Sequence, residues 1–271
     1  TVGSDGNWTL NVPAADLAGL ADGSVTVTAS VSDKAGNPAS VDHNLTVDMT
    51  VPEVTISTIA GDDVINIAEH GQAQIISGIA TGAAAGDKVT VTIGGQSYTT
   101  VLDAAGNWSV GVPASVISGL SDGSVTVTAS VTDAAGNTGT GTHSVTVDTG
   151  LPSVSFNAIS DDNVLNAVEK GQDLRVSGTS ANLAEGTVVA VTLNGKNYTA
   201  TTAADGTWSL TVPAADLAGL GQANYTLNAT ATNGVGNSVS NTANLLVDTA
   251  LPTVIINTVA GDNVINAAEV A

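Results

Sequence analysis

The chain has 271 residues, a length that can hold two or three domains of ordinary size. Lysine and arginine number 5 against 25 aspartates and glutamates, so the net charge of −20 disfavours nucleic acids and anionic lipid surfaces as partners. The sequence has no cysteine, no signal peptide and no apolar run that suggests membrane insertion, and it begins inside a repeated pattern, so we expect a piece of a longer protein.

The repeat is the main organising feature of the sequence. The same residue types recur every 100 positions without a gap, which is too long for a single supersecondary unit and indicates whole domains in tandem. We therefore predict the end of one domain at 1–50, complete domains at 51–150 and 151–250, and the beginning of another at 251–271. The markers are Trp8, Trp108 and Trp208; Pro52, Pro152 and Pro252; Asp48, Asp148 and Asp248; and Glu69, Glu169 and Glu269.

The first complete repeat predicts seven short strands. β-Branched residues alternate with small polar ones between Gly, Asn and Asp turns, a pattern typical of an all-β, immunoglobulin-like sandwich. An acidic loop at 61–71 follows the first strand, and Pro113 begins a short helical turn at 113–120. In chain order the predicted strands are 54–56, 73–79, 88–93, 96–101, 108–112, 124–131 and 138–147.

Strand direction predicts which loops share an end of the sandwich. The acidic loop, the 113–122 segment and Asp148 should lie at the far pole, where the chain leaves the domain. The turns at Asp103 and Asp133 should lie at the near pole, beside Asp48 of the incoming linker. Domains stacked head to tail would bring acids from the loop, the linker and the next domain's turns together.

Such a convergence of carboxylates needs a cation, because their mutual repulsion is large in a partly dehydrated gap. Calcium fits because it takes six to eight hard oxygen ligands at variable angles. The absence of cysteine and the dispersed histidines disfavour zinc and copper. The predicted oxygen donors of the first complete repeat are Asp62, Asp63, Asn66, Glu69 and Asp148.

A purely structural interpretation of these residues is also open, since Asp and Asn are common in turns, where they bond the local backbone. The turn that begins at Asp133 is the weaker metal candidate for that reason. The loop pattern G-D-[DN]-x-[IL]-N-x-x-E is the stronger one, because a linker aspartate accompanies it at every joint. Its further candidates are Asp48, Asp161, Asp162, Asn166, Glu169, Asp248, Asp262 and Glu269.

Catalysis is disfavoured. His43 and His143 share a register but have no Ser or Cys partner in register. The paired carboxylates repeat at every joint without an aromatic cleft, and one Trp per repeat is typical of a core residue.

Together the motifs V-D-x-x-x-P-x-V, A-G-D-D-V-I-N, G-x-W-S-V-x-V-P-A and V-T-A-S-V-T-D-A-A-G-N resemble the bacterial immunoglobulin-like repeats of giant biofilm-associated, RTX-type adhesins. The resemblance implies type I secretion, a cell-surface location, and a calcium-stiffened extender that contacts its neighbouring repeats and carries a distant adhesive tip. It also implies calcium ligands at the acidic-loop and linker aspartates and glutamates.

Two departures and two alternatives remain. Asn233 stands where the preceding repeat has Asp133, and the loop that contains Asp262 is less acidic, so we expect site strength to vary. The segment could instead be a binding module that itself contacts a glycan or a protein of a host or neighbouring cell, or a spacer that does not need calcium.

Overall fold

The computed structural model of the protein describes residues 2–259, 263–268 and 270. Two units divide the chain, Thr1–Thr149 and Gly150–Ala271, and strands make up most of the regular structure of both. Helices span at most four residues each. Within the described residues, none has the length and apolar character needed to cross a membrane.

The first unit begins with a helical turn and a hairpin, over residues whose sequence pattern recurs 100 positions later. A single turn of helix, α1 (Ala14–Leu17), precedes an antiparallel hairpin of β1 (Gly23–Ser32) and β2 (Pro38–Val47). Val27 in β1 is 46% exposed, whereas Val127, its equivalent in the complete repeat, is fully buried. The hairpin thus carries the sandwich's apolar pattern without an opposing sheet to cover it.

The complete repeat that follows has eight strands and two helical turns. In β9, Val127, Ala129 and Val131 are buried while the residues between them are more exposed, as alternation predicts. The elements are β3 (Glu53–Ile56), β4 (Val64–Asn66), α2 (Ile67–His70), β5 (Gln74–Thr81), β6 (Lys88–Ile93), β7 (Gln96–Val101), β8 (Asn107–Val112), α3 (Ala114–Ile117), β9 (Gly123–Thr132) and β10 (Thr138–Asp148).

These strands form two sheets around one apolar core. Five strands follow the order β4-β10-β9-β6-β7, and three follow the order β3-β5-β8. Trp108 lies in the core between them and packs over Gly78, where an added Cβ would come 2.5 Å from the indole Cζ2. Glycine at this position therefore makes room for the buried ring.

The first strand of the sandwich is divided between the two sheets. β3 pairs antiparallel with β5, then the chain crosses over, and β4 pairs parallel with β10. The crossover contains Ala60, Gly61 and Asp63 with positive φ, which lets the chain turn sharply between the layers. The first and last strands of the repeat are therefore hydrogen-bonded neighbours, in the register Thr146↔Val64 to Asp148↔Asn66.

The second unit repeats this architecture. Its sheets have the orders β12-β18-β17-β14-β15 and β11-β13-β16, and Trp208 lies in its core. A single 3-10 turn (Glu169–Gly171) replaces the α-helical turn of the first repeat. The elements are β11 (Ser153–Phe156), β12 (Val164–Leu165), β13 (Leu174–Ala181), β14 (Val188–Leu193), β15 (Lys196–Thr201), β16 (Thr207–Val212), α4 (Ala214–Leu217), β17 (Ala223–Thr232) and β18 (Ser238–Val247).

The predicted all-β fold and the buried tryptophans of the complete repeats are confirmed, and so are the seven predicted strands of residues 51–150, to which the structure adds β4. The prediction of an uninterrupted acidic loop at 61–71 was wrong, because this segment contains β4 and α2. A three-residue strand is too short to show alternation, which is why the sequence did not reveal it.

Candidate functional site

The acidic segment contains two chemically separate parts. In the crossover, the Asp62 carboxylate accepts a hydrogen bond from Val64 N at 3.0 Å. Asp63 Oδ1 accepts from Ile59 N at 2.8 Å and from His143 Nε2 at 2.7 Å. The Ile59 amide and then the His143 side chain hold the pKa of Asp63 below its ordinary value. Both aspartates of the crossover thus bond protein groups near them.

The position of Asp63 has the same backbone role in each repeat. Asn163 Oδ1 accepts from Ile159 N at 2.9 Å, and Asn263 Oδ1 accepts from Val259 N at 3.0 Å. All three residues have φ between 63° and 68°, the left-handed region that Asp and Asn tolerate better than most residues. Because a neutral amide performs this role as well as a carboxylate, the role does not require charge.

The second part of the segment is a helix cap. Asn66 Oδ1 accepts from Ala68 N at 2.9 Å and Glu69 N at 3.2 Å, while Glu69 Oε2 accepts from Asn66 N at 3.1 Å. This reciprocal arrangement is a capping box. Asn166 and Glu169 make the same three hydrogen bonds at 2.9, 3.1 and 3.0 Å. The N-x-x-E spacing in the motif is the sequence signal that predicts it, and our sequence interpretation overlooked it.

At the far pole, acids from three segments lie on the same end of the repeat. Asp148 lies opposite Asn66 in the parallel pairing. Asp122 Oδ1 accepts from Thr149 N at 2.9 Å and Thr149 Oγ1 at 2.8 Å, and these hydrogen bonds lower the pKa of Asp122. The predicted grouping of the acidic segment, the 113–122 segment and Asp148 is thus confirmed for the part of the segment that contains Asn66 and Glu69.

The crossover acids do not belong to this group. Asp63 directly precedes β4, three residues before Asn66, which corresponds to about 10 Å along a strand. The extra strand places Asp62 and Asp63 partway along the sandwich, whereas we expected them to lie together with Asp148.

Basic side chains tie the acidic segment to the loop that follows α3 or α4. His70 Nε2 donates to Leu120 O at 2.9 Å, and Lys170 Nζ donates to Leu220 O at 2.5 Å. The two contacts are equivalent across the repeat, so the sequence difference between His70 and Lys170 preserves one interaction. In the second unit, Asp248 N donates to Leu165 O at 3.1 Å, which places Asp248 beside Asn166.

Sequence reasoning missed the aspartates at 22 and 122. Asp22 accepts from Met49 N and Thr50 Oγ1, both at 2.7 Å, as Asp122 does from Thr149. Their spacing of 100 residues was the available signal. Gln222 occupies the same position in the second unit and donates to Thr249 Oγ1 at 3.4 Å. This far-pole position therefore bonds the outgoing linker in each repeat, with or without an acid.

At the near pole, the Asp133 turn contacts the incoming linker. Asn137 Nδ2 donates to Asp133 Oδ2 and to the backbone oxygen of Asp48, both at 3.0 Å. Burial raises the pKa of Asp133, but hydrogen bonds from Asn137 and from neighbouring amides outweigh it and lower the pKa. In the second unit, Asn233 Nδ2 and Asn237 Nδ2 donate to Gly150 O at 3.4 and 3.2 Å. The predicted position of the turn beside the linker is confirmed for Asp133.

The donor chemistry of the far pole fits calcium, since Glu69, Asp122 and Asp148 all offer hard oxygens. No three side chains from His, Cys, Asp and Glu form a metal-binding group in the part of the chain that the structure describes. A calcium ion would therefore need backbone carbonyls or water in addition to these carboxylates. Asp262 and Glu269, the candidates of the last loop, lie outside the described residues.

Residues 50–149 and 156–249 both match the family described as the bacterial Ig-like domain. The chain belongs to this family. The two matches cover most of both repeats. The two packed β-sheets described above, with a first strand divided between them, are therefore the fold of these bacterial Ig-like domains.

Two solved structures are similar to this pair of bacterial Ig-like domains. One comes from a 1.5-MDa bacterial ice-binding adhesin studied for host cell surface retention. It is 34% identical in sequence, the match covers 92% of this chain and 82% of the other, and the TM-score is 0.52. The other is a Ca²⁺-stabilised adhesin that helps an Antarctic bacterium reach out and bind ice: 37% identity over 98% and 67% of the two chains, TM-score 0.53. No curated protein matches the chain significantly.

The comparisons thus connect these bacterial Ig-like domains with repeats of large bacterial adhesins. Neither the family nor the two similar structures are described as enzymes.

Proposed function

We propose that this segment is a non-enzymatic extender of a secreted bacterial surface adhesin, which carries a distant adhesive tip for cell adhesion and biofilm formation. The observation that carries the proposal is the path of the chain through each repeat. An added Cβ at Gly139 would lie 1.7 Å from Pro52 O, so the incoming linker lies at one end of β10, and the chain leaves from Asp148 at the other end. Nine residues of strand separate these positions by about 30 Å.

The second repeat supports the same interpretation. Its incoming linker is held at Gly150 by Asn237, just before β18 begins, and Asp248 follows the end of that strand. In a domain with this path, the chain enters at one end of the sandwich and leaves near the other. This separation of the two linkers does not depend on any sheet face or cleft.

We further infer that Ca²⁺ binds at the far pole of each repeat. Glu69, Asp122 and Asp148 would hold it in the first complete repeat, and Glu169 and Asp248 in the second. A bound cation would neutralise neighbouring carboxylates in a chain with a net charge of −20 and would restrain the outgoing linker. The Ca²⁺ stabilisation of a similar adhesin supports this inference.

The other predicted donors fall outside this proposed set, because they lie in the crossover or at the near pole, or are neutral amides that cap a turn. Asp62 and Asp162 bond the amide two residues on, and Asn66 and Asn166 cap a helical turn. Asp48 and Asp133 belong to the near pole, where they contact the linker and the Asn137 turn. Asp161 and Asp63 have positive φ in the crossover, as expected for turn residues.

The energetic scale of calcium binding fits control of the linkers. Extracellular calcium modules bind at about 0.1–1 mM, so millimolar calcium contributes roughly 1 kcal/mol per site. This is small beside the 5–15 kcal/mol that stabilises an ordinary domain, but it is comparable to the energy of one or two linker hydrogen bonds. We therefore expect calcium to restrain the linkers more than it protects the sandwiches from unfolding.

Small-angle X-ray scattering of the whole chain, with 5 mM calcium or with EDTA, tests the proposal. We expect a more variable maximum dimension in EDTA, with unchanged circular dichroism, and heat of calcium uptake by calorimetry. The triple variant Glu69→Gln, Asp122→Asn, Asp148→Asn should lose one site. Asp42→Asn, in the middle of β2, is a control for the loss of a single carboxylate away from the far pole. Identical scattering and no heat of binding would overturn the calcium inference and support a calcium-independent spacer.

A further inference from the structure

The first and last strands of each repeat form the connection through which tension would pass. β4 continues the chain that enters from the incoming linker through β3, and it runs parallel to the end of β10, which leads into the outgoing linker. Tension on the two linkers would pull these strands in opposite directions along their length. All hydrogen bonds between them would then be loaded together, rather than broken one after another.

In the first complete repeat a side-chain contact reinforces this pair of strands. Thr146 N donates to Asp63 O at 2.9 Å. His143 on the same strand also donates from Nε2 to Asp63 Oδ1 at 2.7 Å. Both side chains are only partly exposed, at 26% for His143 and 34% for Asp63. The crossover is thus bonded to the last strand through its backbone and through a side chain.

The second repeat has the backbone bond without the side-chain bond. Leu246 N donates to Asn163 O at 2.9 Å, but Ala243 stands at the position of His143. An open groove of about 470 Å³ lies at this place, with Phe156, Asn163 and Ala243 among its lining residues. This groove lies where the second repeat has the small Ala243 in place of an imidazole. The crossover of the second repeat therefore lacks the side-chain hydrogen bond of the first.

Packing of the incoming strand against the last strand also differs between the repeats. Gly141 lets β3 lie directly on β10, since its Cβ would come 2.2 Å from Val54 O. Asn241 occupies this position in the second repeat and bridges the gap with a hydrogen bond from Nδ2 to Val154 O at 2.8 Å. The strands of the first repeat therefore approach more closely, backbone to backbone.

The second repeat has an ion pair of its own, but that pair lies elsewhere. Lys196 Nζ is 2.6 Å from Asp216 Oδ1, and Tyr198 Oη donates to Asp216 Oδ2 at 2.8 Å. This cluster joins β15 to α4, neither of which contains an end of the repeat. It can stabilise the folded domain without reinforcing the connection between incoming and outgoing strands.

We propose, on the basis of the extender role proposed above, that the His143–Asp63 contact locks the first strand of its repeat to the last. The lock makes this connection slower to open than the equivalent connection of the next repeat. Neighbouring repeats of similar fold then yield under tension in a set order, with residues 151–249 first and residues 51–149 second. The contact slows the separation of the crossover from the last strand, and it does not require calcium.

Amide hydrogen exchange of the whole chain tests the lock, because Thr146 N and Leu246 N donate the matched backbone bonds. In EDTA at constant pH, the double variant Asp63→Asn, His143→Ala copies the second repeat. We expect exchange at Thr146 to become about tenfold faster, the effect of losing one charge-assisted hydrogen bond. The reciprocal Asn163→Asp, Ala243→His variant should slow exchange at Leu246 by a similar factor.

Asp216→Asn is the matched control, since it removes an ion pair that lies off the connection, and it should leave exchange at Leu246 unchanged. The lock is refuted if Thr146 exchange stays the same in the first double variant. It is also refuted if core amides such as Val91 change by the same factor, which would indicate global destabilisation. Because EDTA is present throughout, failure of calcium binding would not alter these results.

Magnetic tweezers applied to both ends of the chain test the order of yielding. The unaltered chain should show two unfolding events with distinct force distributions. In the Asp63→Asn, His143→Ala variant, the higher unfolding force, assigned to residues 51–149, should fall toward the lower one. Distributions that do not move in this variant would contradict the proposed order.

Discussion

Replacing Gly139 with valine tests whether close packing fixes the incoming linker on the first complete repeat. An added Cβ would lie 1.7 Å from Pro52 O and 2.7 Å from Pro52 C, and both are backbone atoms. Ordinary contacts need about 3.5 Å, so the linker must move by roughly 1.8 Å. No rotamer change can relieve such a contact, since the clash begins at Cβ.

Two contributions set the magnitude of this effect. Overpacking of a buried position costs about 1–3 kcal/mol, and Pro52 is buried. Displacement of the linker also breaks the hydrogen bond from Asn137 Nδ2 to Asp48 O, which is worth about 1 kcal/mol. The sum is about 3 kcal/mol, or roughly a hundredfold in the unfolding equilibrium. With a urea dependence of about 1.5 kcal/mol per molar, the midpoint should fall by about 2 M.

The indole N–H signals in two-dimensional NMR follow each repeat separately during a urea titration, because each complete repeat has one tryptophan. Only the Trp108 signal should move to lower urea in Gly139→Val. The control is Gly111→Val, since Gly111 has no atom within 4 Å of its added Cβ and its φ is not positive. If both variants shift the midpoint by less than about 0.3 M, linker packing does not stabilise the repeat as reasoned.

Three further outcomes are expected. Asn66→Ala removes the capping box and should lower the free energy of unfolding of its repeat by about 1 kcal/mol, measured by urea denaturation. The Asp63 carboxyl should titrate below its ordinary pKa of 3.8 by carbon NMR, and His143→Ala should move it upward. Because the folded pKa is depressed, the stability contributed by Asp63 is present above about pH 4 and is lost as pH falls through the folded value. Burial and then Asp216 raise the pKa of Tyr198 to about 12, so Asp216→Asn should lower it in an ultraviolet titration.

The sequence predicts the sandwich well because its strands are long enough to show alternation. Residues 88–93 and 96–101 were predicted with the bounds that the structure has, and the two-glycine turn between them confines the register. Strand direction also predicted that Asp148 lies with the acidic segment, and that the Asp133 turn lies beside the linker. These conclusions need only strand order, which the repeat makes unambiguous.

The details of the acidic segment could not be predicted in the same way. Its acids looked like a single group of ligands, yet a three-residue strand separates Asp63 from Glu69. The contact between Asp63 and His143 joins residues 80 positions apart, and no local pattern indicates it. Comparison of the repeats did contain a signal, because Asp63 and His143 change together to Asn163 and Ala243.

The division of the first strand between two sheets also bears on folding among near-identical neighbours. A short strand such as β4 could pair with the last strand of an adjacent repeat, and such misassembly is a hazard of tandem domains. In that exchanged state, Asp63 would meet Ala243 and lose its imidazole partner, while His143 would face the amide of Asn163. The mismatch favours the native partner over the neighbouring one, so a difference between two otherwise similar domains helps each to fold upon itself.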